Sequence, residues 1–173
     1  TVCELVFQGH PLGNSIIGTP ETLDRIDRDV LTGYLRREYT RDSLVIAIAG
    51  NFDEDKILSM FEDKLVKLLP SKAEKQAVPV RYQPRYKVKS RDIEQSHISL
   101  AVPGVSLEDS RYYAMGLLSN IMGGSMSSRL FQNIREEKGL AYSVYSAASS
   151  FSGAGYFEIY AGVAHDKIAE AIG

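Results

Sequence analysis

Several residue types are scarce or missing in this chain of 173 residues. It has one cysteine and no tryptophan, so Cys3 has no partner for an internal disulfide and no neighbouring thiol for a thiolate metal site. We interpret Cys3 as a structural thiol. No apolar run reaches the roughly 18 residues of a membrane-spanning helix, and no signal peptide is visible. We therefore expect a cytoplasmic location and no membrane partner.

Neither sign of charge dominates. The chain has 20 Lys and Arg against 22 Asp and Glu, for a formal net charge of -2. Such a mixture creates no field that would attract a polyanion, which excludes nucleic acid as an expected partner. With 44% hydrophobic residues, the chain is able to bury a core.

Catalytic motifs are missing too. The zinc motif H-x-x-E-H is absent in either direction, and His10, His97 and His165 are scattered, whereas a catalytic zinc needs three protein ligands and an open position. We interpret His10, beside Pro11, as a turn histidine that bonds backbone and His97 as a structural strand histidine. No G-x-S-x-G nucleophile motif is present. We expect no catalytic residue and no metal ligand in this chain.

Helix start signals are clear in the first part of the sequence. The segment GHPLGNSIIGTPETL is rich in turn-forming residues and leads to Thr19, a predicted N-cap, followed by Pro20 in the first turn. Asp27 and Asp53 are the predicted N-caps of the next two helices.

Apolar patterns predict how these helices are buried. The run SLVIAIAG at 43–50 is typical of a buried strand. One face of the helix after Asp27 is expected to pack on a sheet. The helix after Asp53 has an apolar stripe, which we expect to be buried in the hydrophobic core. The residues concerned are Val30, Leu31, Tyr34 and Leu35 in the first helix, and Ile57, Met60, Phe61, Leu65 and Leu68 in the second.

Prolines and lost periodicity between Pro70 and Pro84 indicate a linker. After it, RYKVKSR at 85–91 alternates like a strand with a solvated basic face. The remaining pattern predicts a strand at 95–104, helices over 108–122 and 127–138, and a hairpin of strands at 140–149 and 155–163.

The fold class is therefore predicted to be α+β, with two consecutive α/β sandwich-like domains. We assign residues 1–72 to the end of the first domain, 73–84 to the linker and 85–173 to the start of the second. Both ends read as cuts, so the first domain is expected to be truncated at its N-terminus and the second at its C-terminus.

The segment GGSMSSRLFQNIREEKGLAYSVYS at 123–146 holds the densest group of functional candidates. Arg135 and Tyr142 lie on either side of Gly139, a predicted helix stop. A guanidinium and a phenol both donate hydrogen bonds, and both suit a peptide carbonyl or the oxyanion formed from it. From chemistry alone, a purely structural role is the simpler alternative. In that case Arg135 forms an ion pair with a carboxylate, and the Tyr142 ring packs against its neighbours.

The run SMSSRLFQNIREEKGLAYSV resembles the second-domain signature of the pitrilysin and mitochondrial-processing-peptidase family of zinc peptidases. GHPLGNSIIGTPETL and AGNFDEDKI are also similar to their counterparts in bacterial members, so the resemblance covers essentially the whole chain. It implies a longer parent of repeated α+β domains around a chamber, with H-x-x-E-H and a downstream Glu ligand. By the same resemblance, these zinc ligands lie before Thr1.

The resemblance implies that Arg135 and Tyr142 bind the peptide substrate near a zinc held by the parent, where zinc activates water and the motif Glu acts as base. Gly123-Gly124 resembles a mobile loop of the family, although a plain turn between helices fits almost as well. The expected partners are a peptide and the missing parts of the parent, and we allow for a homodimer.

Two other functions stay open. One is a non-catalytic partner or scaffold subunit of the same family. The other is a free-standing binding module, which the abrupt ends disfavour. This chain alone is expected to be inactive.

Overall fold

The computed structural model describes residues 2–62, 64 and 78–173. By their contacts the residues form two compact units, one of Ser15–Gln76 and the other of Thr1–Asn14 together with Ala77–Gly173. The predicted linker at 73–84 lies partly outside the described residues, and the domain boundaries stay a prediction.

Helices and strands combine in a mixed α/β fold. In chain order they are α1 (Val2–Val6), α2 (Pro20–Leu23), α3 (Arg28–Glu38), α4 (Glu54–Phe61), β1 (Ser96–Pro103), α5 (Tyr112–Gly123), a π-helix (Phe131–Glu137), β2 (Ala141–Phe151), β3 (Ala154–Val163) and α6 (Ile168–Ile172). Short 3-10 helices occupy Pro11–Gly13, Arg41–Ser43 and His165–Lys167. Within the described ranges, no helix is long and apolar enough to cross a membrane.

The three predicted N-caps are confirmed in the unit Ser15–Gln76. The Thr19 side chain accepts from the Thr22 amide at the start of α2. Asp27 Oδ1 accepts from the Val30 amide at 2.8 Å, and Asp53 Oδ1 accepts from the Lys56 amide at 3.1 Å. Each cap satisfies an amide that the first helical turn leaves without a partner.

The buried strand predicted at 43–50 is wrong for the described chain. Ser43 ends a 3-10 helix, the following residues join no ladder, and the Val45 side chain is 93% exposed. A buried strand needs hydrogen-bonded neighbours and covered faces, and the described part of this unit contains helices but no strand.

The predicted burial of α3 and α4 is also wrong, since neither helix has a buried residue. Val30, Leu31, Tyr34 and Leu35 are each about half exposed, because the described part of the unit offers no sheet for them to cover. In α4, Met60 is exposed while Ile57 and Phe61 are half-buried. Leu65 and Leu68 lie outside the described residues.

The other unit is built on an antiparallel sheet with strand order β1-β3-β2. The predicted strand at 95–104 is confirmed as β1, and the predicted hairpin as β2 and β3, joined by a tight turn in which Gly153 has φ 77. That left-handed conformation favours glycine. One face of the sheet, the core face, buries Ala141, Val144, Ala161 and Val163 against Leu130, Phe131 and Ile134.

Helix α5 covers β2 on the core face. Ser119 and Ser146 each donate a hydroxyl hydrogen bond to the other's carbonyl, at 3.1 and 2.8 Å. A Cβ atom on Gly123 would stand 2.2 Å from the Ser146 amide nitrogen, so this close approach requires glycine. The helix begins at Tyr112 rather than 108, because the Asp109 side chain first forms a turn by accepting from the Arg111 amide at 2.8 Å.

The strand predicted at 85–91 is wrong. Residues 78–92 have no regular structure and are held by side chains instead of a ladder. The Tyr82 hydroxyl donates to the Gly155 carbonyl at 2.7 Å, Lys87 pairs with Glu4 at 3.0 Å, and Arg85 donates to Gln8. Two of the charges that suggested a solvated strand face, those of Arg85 and Lys87, therefore contact the N-terminal segment.

Candidate functional site

Arg135 and Tyr142 lie side by side, although six residues separate them in sequence. The Arg135 Cζ atom is 5.6 Å from the centre of the Tyr142 ring and 4.7 Å from that of Phe131. Cation–π contact at these distances orients a guanidinium without using its N–H donors.

Gly139 turns the chain between the two residues. Its φ of +61° is left-handed, as expected for the residue after a helix end. The Leu140 amide donates to the Ile134 carbonyl at 2.9 Å, which closes the turn. The predicted helix stop is therefore confirmed.

The helix predicted over 127–138 is present, but seven of its residues, Phe131–Glu137, wind as a π-helix. The Lys138 amide accordingly donates to the carbonyl of Asn133, five residues back, at 3.1 Å. In this stretch Phe131 and Ile134 contact the core while Arg135 is only partly covered. π-Turns are rare and concentrate at functional sites.

A β-bulge sets the orientation of Tyr142. Ala141 pairs with Val163 and Ser143 with Gly162, so Tyr142 has no partner on β3. The extra residue allows Ala141 and Val144 both to reach the core, whereas side chains three positions apart in a regular strand lie on opposite faces. Tyr142 projects from the core and is 73% exposed.

The polar groups of this pair have few partners within the protein. Arg135 is 39% exposed and its Nε lies 3.9 Å from a Glu136 carboxylate oxygen, a long contact that contributes little. Within the described residues the Tyr142 hydroxyl forms no hydrogen bond. The site therefore presents a partly exposed fork of N–H groups next to an exposed phenol.

The three histidines lie in separate places. His10 Nδ1 accepts from the Leu12 amide at 3.1 Å and its Nε2 bonds the Val78 carbonyl at 3.0 Å. His165 lies 2.7 Å from the Ser96 hydroxyl, and His97 lies 2.6 Å from the Tyr160 hydroxyl. Among the residues described, no group of three or more His, Cys, Asp or Glu is arranged to hold a metal ion.

Gly123-Gly124, expected as either a mobile loop or a plain turn, connects α5 to the residues before the π-helix. Gly123 is buried against β2, and a Cβ atom on Gly124 would meet Asn120 Oδ1 at 2.5 Å. Close packing therefore explains both glycines.

Sequence reasoning missed the second face of the sheet, here called the tyrosine face and defined by Tyr145, Tyr156, Glu158 and Tyr160. The Tyr145 and Tyr160 rings stack at 4.8 Å with an interplanar angle of 24°, and His97 stacks on Tyr160 at 5.9 Å. The alternation Tyr156, Glu158, Tyr160 within YFEIY was the available signal.

Two cavities lie away from Arg135 and Tyr142. One of about 760 Å³ lies between the start of α5 and the end of β2. The other, of about 490 Å³, lies between α1, residues 82–85 and β1. Neither cavity is lined by Arg135 or Tyr142, so the two side chains lie on an open surface.

Comparison with known proteins shows which family this chain resembles. Residues 25–173 match the family profile described as the peptidase M16 inactive domain. An uncharacterised zinc protease of Streptomyces coelicolor is 36% identical over 175 residues, which cover 96% of this chain and 38% of that protein. The uncharacterised zinc protease YmxG of Bacillus subtilis is 38% identical over 168 residues, with coverage of 94% and 39%.

A solved structure agrees with these matches. The crystal structure of a peptidase M16 inactive domain from Pseudomonas fluorescens aligns with a TM-score of 0.76 at 21% identity, covering 98% of this chain and 44% of that one. At this identity the likeness shows the fold. The chain spans about two-fifths of the two curated relatives described above. As the signature at 125–144 predicted, the chain belongs to the peptidase M16 family, that of pitrilysin, and carries its inactive-type domain.

Proposed function

We propose that this chain is the substrate-holding part of a longer zinc-dependent endopeptidase, in which Arg135 and Tyr142 bind the peptide. Both curated relatives are named zinc proteases and extend well beyond the region matched here. Since the described residues offer no metal-holding group, we place the zinc ligands in the rest of the parent.

The observation that carries this proposal is the pairing of Arg135 with Tyr142 on an open surface. The π-helix, Gly139 and the bulge together hold a guanidinium 5.6 Å from a phenol ring, and each is a departure from regular structure. Strain and irregularity of this kind persist where the surrounding fold maintains them and are common at functional sites.

The chemistry of the pair suits a peptide bond under attack. The guanidinium has five N–H groups and the phenol one O–H group, and all donate. Two such donors orient a substrate carbonyl and gain strength as its oxygen becomes negative. The zinc of the parent, when bound, supplies the activated water for hydrolysis.

The alternative is a non-catalytic partner or scaffold subunit with the same fold. The zinc-protease names of the relatives favour the enzyme. The homodimer, the cytoplasmic location and the arrangement of two successive truncated domains stay predictions of the same proposal.

The test uses the intact parent protein and a short fluorogenic peptide. Arg135→Ala is expected to lower kcat/KM about a hundredfold, the order found when an oxyanion donor is removed. Tyr142→Phe, which deletes one hydroxyl, is expected to lower it about tenfold. Bound zinc, measured by elemental analysis, should be unchanged in both variants.

Arg129→Ala and Tyr113→Phe are matched controls, because both side chains are exposed and neither belongs to the proposed pair. They should retain parental turnover. Parental kcat/KM in both Arg135→Ala and Tyr142→Phe would refute the substrate-holding role.

A further inference from the structure

Gly162, on the central strand β3, lies opposite the β-bulge that orients Tyr142. It pairs with Ser143 on β2 and with His97 on β1. Gly162 is buried and follows Tyr160 by two residues, so it belongs to the same face of the sheet, the tyrosine face. A larger residue at this position would direct its side chain to that face.

The place of the missing side chain is taken by atoms of neighbouring residues. A Cβ atom on Gly162 would stand 2.9 Å from Ser143 Oγ, 3.4 Å from Gln95 Oε1 and 3.6 Å from the Tyr160 hydroxyl oxygen. The first distance is well below the roughly 3.5 Å of an ordinary contact. The Tyr160 hydroxyl is itself held by His97 Nδ1 at 2.6 Å. A methyl group at this position therefore requires Ser143 to move.

The bulge explains why space is scarce beside Ser143. In a regular strand two successive side chains lie on opposite faces, but the bulge turns both Tyr142 and Ser143 away from the core. This side of β2 therefore carries one side chain more than a regular strand would. Gly162 compensates for the extra side chain, because it contributes none of its own.

We propose that Gly162 is a positioning residue for Tyr142. By leaving room for Ser143 it maintains the bulge, and the bulge holds the Tyr142 ring 5.6 Å from the Arg135 Cζ atom. Because Ser143 directly follows Tyr142, a displacement of one is passed to the other. The consequence for turnover rests on the proposed function, whereas the orientation of Tyr142 is measurable without it.

The test replaces Tyr142 with a ring-fluorinated tyrosine in the intact parent and records its fluorine NMR signal. The difference in chemical shift between this protein and its Arg135→Ala variant reports contact between the ring and the guanidinium. We expect the difference to be lost in Gly162→Ala. It should return when Ser143→Ala is added, because the atom closest to the new methyl group is then absent.

Gly104→Ala is the matched control. Its new Cβ atom would meet the Tyr156 backbone at 2.8 Å, at the end of the sheet away from the bulge. This variant should lower Tm and keep the parental shift difference. The proposal is overturned by an equal loss in Gly104→Ala, or by a failure of Ser143→Ala to restore the difference. It is also overturned by an unchanged difference in Gly162→Ala, the result expected if the Ser143 hydroxyl merely rotates.

A second variant applies if Gly162→Ala does not fold. Ser143→Thr adds a methyl group to the same contact from the side of β2, and it should also abolish the shift difference. An unchanged difference in Ser143→Thr would then overturn the proposal.

Turnover separates this proposal from the proposed function. Gly162→Ala should lower kcat/KM about tenfold, as Tyr142→Phe does, because it misplaces the same hydroxyl. Added to Tyr142→Phe, it should have no further effect, and a further loss would indicate a general structural role and overturn the proposal. Parental turnover in Arg135→Ala and Tyr142→Phe refutes the proposed function whatever the fluorine signal, and an unchanged signal in Gly162→Ala refutes the positioning role whatever the turnover.

Discussion

The two units of this protein differ in how well the sequence predicts the burial of their apolar side chains. In the unit Ser15–Gln76, helices begin at the residues their caps predict, yet the apolar faces of those helices are half exposed. In the sheet-bearing unit, apolar residues of β2 and β3 are buried. Capping depends on atoms three residues away, whereas burial depends on a second element that local sequence does not specify.

The largest expected effect tests the tight contact between α5 and β2. Gly123→Ala should lower the free energy of unfolding by about 3 kcal/mol, because the new methyl group would meet the backbone of β2 at 2.2 Å. Gly116→Ala in the same helix has open space at its Cβ and should raise it by about 0.5 to 1 kcal/mol. Urea unfolding of both variants measures the difference. Equal changes would show that the contact is looser than described.

The next largest effect is expected when a valine is truncated to alanine, a change that can be made once in each unit. Val163 is 1% exposed, and Val163→Ala should cost about 2 kcal/mol through lost burial. Val30 is 52% exposed, and Val30→Ala should change stability by less than about 0.5 kcal/mol. Thermal unfolding, monitored by circular dichroism, measures the stability of both variants. A comparable cost at Val30 would mean that its helix face is buried as the sequence predicted.

The smallest expected effect is electrostatic and local to the turn before α5. Hydrogen bonds from the Arg111 side chain, and then from its amide, lower the pKa of Asp109 from 3.8 to about 2. Because the folded-state pKa is depressed, the stabilisation is present above pH 3.8 and is lost as pH falls through 2. Carboxyl NMR titration should show the pKa of Asp109 rising toward 3.8 in Arg111→Gln. An unmoved pKa would assign the shift to the backbone amide alone.

The sequence was informative wherever the determining contacts are short. The caps at Asp27 and Asp53, the stop at Gly139 and the hairpin of β2 and β3 all follow from neighbours in the chain. The alternation at 85–91 misled, because these residues join no strand, and Lys87 and Arg85 bond to the N-terminal segment instead.

The candidate site, too, was predictable from the sequence only in part. The sequence identifies Arg135 and Tyr142 by residue type and by resemblance, but it does not show the π-winding around Arg135 or the bulge at Tyr142. Both depend on how the segment fits the core of Ala141, Val144 and Val163. The tyrosine face escaped notice because its rings meet only after three separate strands pair.

The bulge at Tyr142 also has a consequence for engineering. It shifts the in-and-out alternation of β2 by one step, so residues before and after it follow opposite parity. In a graft of β2 onto a regular strand, either Ala141 would face solvent and Tyr142 the core, or Val144 would face solvent and Tyr145 the core. Transferring this surface to another protein requires the irregular position to be moved together with the side chains it orients.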